Sequence, residues 1–143
     1  MDLSSVPQTK YCQFTDLNNG IWKFTFSEAN NQAIDEWYHW QSYLKENTPA
    51  PDNKRVCMIL DVRKSGPLPL LYSLQQGRDW RKKYPDLYAY QVQIALLLKQ
   101  FPRYQQPYVK LIKDGVNIFT LAQVDVEIFF DDDQKAFEWF GQF

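Results

Sequence analysis

Apolar residues recur with a period of two in Ile21–Phe26, where Trp22, Phe24 and Phe26 alternate with Lys23 and Thr25. That spacing predicts a strand with one buried face. Tyr11–Thr15 precedes it across Asn18-Asn19-Gly20, residues that tolerate positive φ, so the two segments are expected to pair as a hairpin. Val56 to Leu60 is an unbroken apolar run ending at Asp61. Such a run suits a strand covered on both faces, and Val56–Val62 is expected at the centre of a sheet. Leu87–Lys99 reads as a long strand with Tyr88, Tyr90, Val92, Ile94, Leu96 and Leu98 on one face; its Ala-Leu-Leu-Leu portion also fits a helix, but the alternation and the tyrosines favour strand. In Val124–Phe130, Val124, Val126 and Ile128 alternate with Asp125 and Glu127.

Between these segments the period lengthens. Ala33, Trp37, Trp40 and Leu44 are spaced for one face of a helix running from an Asn30-Asn31 cap to about Glu46. Asp35 and Glu36 are placed to complement its positive end. A second helix is expected to start with Pro69 in its first turn, with Leu70, Leu71, Leu74 and Trp80 as its apolar face, and to end near Lys83 in a basic cluster of Arg78, Arg81, Lys82 and Lys83 read as a solvated helix terminus rather than a phosphate contact. A third is expected from Pro107 to about Leu121 through Val109, Ile112, Val116 and Phe119. Asp131-Asp-Asp133 closes the last strand and opens a final helix carrying Ala136, Phe137 and Phe140. Asp131 and Gln134 have capping-box spacing, and a cap accounts for the triplet better than a cation site does.

Strands alternating with helices imply an α/β layered domain, a mixed β-sheet of about 4–5 strands packed with about 4 helices, with right-handed crossovers between parallel neighbours. Residues 1–10 are expected to be a loose polar leader and 11–143 a single domain. The chain has 143 residues and a formal net charge of −1, which gives no electrostatic reason to expect a nucleic acid partner. Cys12 and Cys57 form no CxxC pair or disulfide framework, and Cys57 is expected to be an inert apolar filler. The N-terminus lacks the pattern of a signal peptide, and the longest apolar runs fall far short of the roughly 20 residues a transmembrane segment needs. A reduced, cytoplasmic protein is expected. Aromatics make up 17% of the chain, enough to fill a core, line a pocket or form an association surface.

The order of elements resembles the STAS fold, and within it the bacterial SpoIIAA-like group related to anti-sigma-factor antagonists. The resemblance rests on Ile21-Trp-Lys-Phe-Thr-Phe26, on Ile59-Leu-Asp-Val62, and on the closing Val126-Glu-Ile-Phe-Phe-Asp-Asp-Asp-Gln-Lys-Ala-Phe-Glu-Trp-Phe140. It spans about residues 20–141. It implies a regulatory, protein-interaction role. Family members of the antagonist type carry a phosphorylatable serine in an Asp-Ser-x-Gly turn after the central strand. Here the corresponding turn is Asp61, Val62, Arg63, Lys64, Ser65 and Gly66, with Lys64 where the aspartate would stand. Ser65 is the matching hydroxyl, and a serine ahead of a helix also serves as a cap.

Catalysis requires a placed nucleophile, base or metal. His39 is the single histidine, on the flank of the Trp37–Trp40 helix, and no HExxH, GxSxG or glycine-rich phosphate loop is present. No enzyme, metal or cofactor is therefore expected. Two functions remain. One is a non-catalytic interaction module whose surface is the Arg63–Pro69 turn and the following helix, with an unidentified protein partner. The other, which the resemblance also permits, is binding of a small apolar or lipid-like ligand by Trp37, Trp40, Tyr88 and Tyr90. Self-association as a homodimer is compatible with either.

Overall fold

A computed structural model describes residues 6–17, 20–49, 53–86, 90–99 and 124–141. Five strands form one mixed sheet: β1 (Cys12–Asp16), β2 (Ile21–Phe26), β3 (Arg55–Asp61), β4 (Gln91–Leu98) and β5 (Val124–Phe130). Their spatial order is the order of the chain, β1-β2-β3-β4-β5. β1 and β2 pair antiparallel as the expected hairpin, with Phe14 opposite Phe24. The pairs β2–β3, β3–β4 and β4–β5 are parallel.

Three helices occur among the described residues: α1 (Asn31–Asn47), α2 (Leu70–Lys83) and α3 (Asp133–Phe140). The helix expected over 107–121 lies outside the described residues, as does Tyr88. The described residues thus form an α/β fold with a five-stranded mixed sheet. No described helix is long and apolar enough to cross a membrane.

The two-residue period of the strands sorts their side chains into two layers. Phe24, Phe26, Met58, Leu60, Leu96, Val126 and Ile128 share one apolar cluster with Ala33, Ile34, Trp37 and Leu44 of α1. Ile21, Ile59, Ala95 and Leu97 face the other way and pack with Ala136 and Phe140 of α3. β3 is less uniformly covered than its sequence predicts. Met58 to Asp61 are buried, whereas Arg55, Val56 and Cys57 are half-buried. Cys57 is therefore not a fully enclosed filler; its thiol faces Gln93 Oε1 at 3.5 Å.

The helix ends correct three expectations. Asn30 caps α1 as anticipated, its Oδ1 accepting from Ala33 N at 2.8 Å, but no acidic residue lies in the first turn. Glu36 instead reaches back to the hairpin. Its Oε1 accepts the backbone N–H groups of Lys10, Tyr11 and Cys12 at 2.9, 2.7 and 3.0 Å. Ahead of the hairpin, Pro7 is buried and Val6 packs against the core. Pro69 is the N-cap of α2 rather than a first-turn residue, and no side chain caps that helix. In α3 the cap is Asp132, not Asp131: its Oδ1 accepts from Lys135 N at 3.0 Å. Asp131, at φ 54°, sits in the left-handed region that Asp tolerates better than most residues, and turns the chain off β5.

Candidate functional site

Two groups of sequence-predicted residues occupy different places. The first gathers at the C-terminal ends of β3 and β5, the edge at which open α/β sheets present functional groups. Asp61 ends β3 and is buried. Arg63 follows and binds it in a fork, Nε to Oδ1 at 3.0 Å and Nη2 to Oδ2 at 2.8 Å, with Arg63 N also donating to Oδ1 at 3.1 Å. The same guanidinium crosses to the α3 start, with Nη1 donating to Asp131 Oδ1 at 3.0 Å and Asp133 Oδ1 at 2.7 Å. Lys23 of β2 lies 3.7 Å from Asp61.

Burial of Asp61 opposes its ionisation. The hydrogen bonds from Arg63, the charge of Arg63 and that of Lys23 outweigh this and hold the carboxyl below its ordinary range. Arg63 is held far above its ordinary value, chiefly by its bonds to Asp61 and against the cost of its own partial burial, with Asp133 and Asp131 adding to it. A charge-assisted network with each carboxylate engaged by a cation is a fastener. It joins β3 to the β5–α3 turn. Among the described residues, no group of three or more His, Cys, Asp or Glu side chains is placed to hold a metal ion.

The rest of the turn is held by short-range hydrogen bonds. Gly66 N donates to Val62 O at 2.9 Å, and Gly66 adopts φ 81°, a conformation that costs a side-chain-bearing residue about 1 kcal/mol. Ser65 Oγ donates to Gly66 O at 2.9 Å. It does not cap α2, whose N-cap lies at Pro69. Lys64 is exposed. His39 is exposed on α1, on the flank where its neighbours placed it.

The second group borders a cavity of about 250 Å³ between the sheet and helices α1 and α2. Met58, Leu60, Ile94, Leu96 and Val126 supply the sheet wall. Trp37 comes from α1, and Leu70, Leu74 and Trp80 from α2. Of the aromatics singled out in the sequence, Trp37 and Tyr90 border the cavity and Trp40 does not. It is one helical turn from Trp37 but directed at the hairpin, stacked 5.3 Å from Phe14, with Nε1 donating to Cys12 O at 3.2 Å.

The α1–α2 contact gives the cavity its roof. Tyr38 Oη donates to Ser73 O at 3.2 Å, Trp80 Nε1 to Ser42 Oγ at 2.8 Å, and Tyr72 Oη to Asp35 Oδ1 at 2.6 Å. Gly77 permits this approach, since a Cβ there would stand 2.6 Å from Tyr38 Oη. Burial raises the Tyr38 phenol well above its usual value, against a smaller opposing effect from Arg81, so it remains a neutral donor. Arg81, expected in a solvated basic cluster, is buried and borders the cavity.

Two further donors are enclosed within α1's buried face. Trp37 Nε1 and Gln41 Nε2 are buried and have no hydrogen-bond partner among the described residues. Both residues border the cavity, and each is 6% exposed. An unsatisfied buried donor costs about 1–3 kcal/mol. Gln41, whose place beside His39 suggests a partly exposed flank, is instead buried; it stands four residues after Trp37, a polar residue set within the apolar stripe of α1. Trp80 was read as a packing residue, and Tyr38 was not read for the cavity at all, because their place depends on how two helices meet.

Comparison with protein-family models, with curated proteins and with solved structures finds no match for this chain.

Proposed function

We propose that this protein is a non-catalytic module that binds a small, mainly apolar ligand in the cavity beneath α1 and α2. The observation that carries this reading is the cavity itself: about 250 Å³ with a largely aliphatic and aromatic wall. Protein interiors ordinarily leave few voids larger than a water molecule. An apolar cavity of about 150 Å³ accepts benzene, so this one suits roughly ten non-hydrogen atoms. Trp37 and Trp80 on its wall provide the readout. Indane, a compound of that size, is expected to change tryptophan fluorescence saturably, and Leu74→Trp, which fills the space, is expected to abolish the response. Absence of any saturable response to apolar compounds of this size overturns the reading.

A second reading follows the STAS resemblance, in which the Arg63–Pro69 turn and α2 form a partner-binding surface. One observation favours it. Leu71, in the first turn of α2 beside that turn, is 61% exposed, the most exposed large hydrophobic side chain among the described residues. The two roles are compatible, because α2 both roofs the cavity and carries Leu71. If the surface is used, a partner captured by the wild-type protein is lost with Leu71→Asp and altered by Ser65→Asp. Capture that survives both substitutions removes this surface from consideration.

A further inference from the structure

The polar side chains that border the cavity are not spread evenly along it. The hydroxyls of Ser73, Tyr38 and Thr48 each donate to a backbone carbonyl of the helices themselves, Pro69 O, Ser73 O and Leu44 O. The charged groups on the wall are of one sign: Lys45 and Arg81 border the cavity, and among the described residues no Asp or Glu does. Lys45 lies in the last turn of α1 and Arg81 in the last turn of α2. α1 leads to the start of β3 and α2 to the start of β4, so both cations stand at the end where Val56 and Val92 begin the sheet wall. That end also meets solvent. Of the described residues bordering the cavity, Thr48 and Pro49, just beyond α1, are the exposed ones. Leu60 and Leu96, at the other end of the wall, are buried.

From this we infer that the ligand is an amphipathic carboxylate, its hydrocarbon chain lying along Met58, Leu74 and Ile94 and its carboxylate at the Thr48–Pro49 mouth, paired with Lys45. The inference rests on the ligand-binding reading above and deepens it. A carboxylate loses too much hydration to enter an apolar chamber, but at a half-open rim beside a cation it keeps water on one side. Lys45 suits that place. It is half-buried, so its stem covers apolar wall while its ammonium reaches the rim. Arg81 is buried and permanently charged, and it favours an anion at the same end through a medium of low dielectric, with no contact required. Asp86 shows the mode of pairing, since its exposed carboxylate holds Lys45 Nζ at 2.7 Å. An exposed ion pair of this kind contributes little, so a ligand carboxylate that also buries a hydrocarbon chain can replace it.

The test titrates the full chain calorimetrically at neutral pH with octanoate, 1-octanol and octylammonium, one chain length carrying an anionic, a neutral and a cationic head. In the wild-type protein octanoate is expected to bind about tenfold tighter than octylammonium, a comparison that needs no variant. Lys45→Met keeps an apolar stem and removes the charge; it is expected to weaken octanoate about tenfold and to leave 1-octanol unchanged. Asp86→Asn, which releases Lys45 from its internal partner, is expected to tighten octanoate about threefold. Equal affinity for the three heads, or a Lys45→Met variant that does not separate octanoate from 1-octanol, overturns the carboxylate assignment while the cavity remains a binding site. If none of the three compounds binds, the ligand-binding reading falls and this inference with it.

Discussion

Arg63 shows how much of an α/β edge can depend on one side chain. It satisfies a buried carboxylate and two more exposed ones, and its own side chain is only 25% exposed. Arg63→Met leaves Asp61 buried with Lys23 as its remaining cation, and a loss of about 2 kcal/mol at neutral pH is expected. The pH dependence has a definite sign. The native pKa of Asp61 lies below its unfolded value of about 3.9. Its contribution is therefore complete above that value and disappears as pH falls through the lower, native one. Denaturant titrations of wild type and Arg63→Met should show a gap that is widest near pH 7 and closes below about pH 4. A gap that is constant with pH refutes the linkage. Asp132 makes a simpler case. Asp132→Ala removes one cap and is expected to lower stability by about 1 kcal/mol, whereas Asp132→Asn, which retains the acceptor oxygen, should cost little.

Between elements, the decisive contact is the one that joins α1 to α2. The ring of Tyr38 lies 4.8 Å from Trp37 and 5.8 Å from Trp80, so its hydroxyl has little freedom to move away from position 77. Gly77→Ala gains helix propensity but forces this contact apart. A net loss of about 1 kcal/mol is expected in chemical denaturation, and Tyr38→Phe in the same chain should recover most of it. If Gly77→Ala is stabilising alone, the contact is softer than its geometry indicates. The same interface marks the boundary of what the sequence reveals. Strand and helix positions were legible because hydrophobic period is a local property: the alternation in β2 and the four-three-four spacing in α1 each specify a face by themselves. Trp40 was misplaced because period names a face, not a direction along it, and the direction came from Cys12 O in a different element. The cap of α3 was off by one for a related reason. Three consecutive aspartates each meet the local requirement, and Arg63, distant in sequence, engages the two on either side of Asp132. Glu36 was read as a partner for the helix dipole, yet it serves three amide groups of the hairpin approach, which no local pattern encodes.

At the scale of the molecule, the cavity distinguishes the two described layers of the sheet. On the α3 side Leu97 is fully buried, with Ile59 and Ala95 beside it, whereas the α1–α2 side contains the cavity. Pressure distinguishes such layers, because the volume change of unfolding grows with the void that unfolding eliminates. Leu74→Phe, which extends a ring into the cavity, is expected to reduce the magnitude of that volume change in pressure-unfolding measurements; an unchanged value indicates that the space is already occupied by water. The strand order has a separate consequence, for how the chain is assembled in time. Every strand from β2 to β5 lies beside the strand that precedes it in the chain. A polypeptide emerging N-terminus first always presents its next strand to an edge that already exists, so the sheet can lengthen by one rung at a time, without waiting for a later segment to be threaded between two earlier ones.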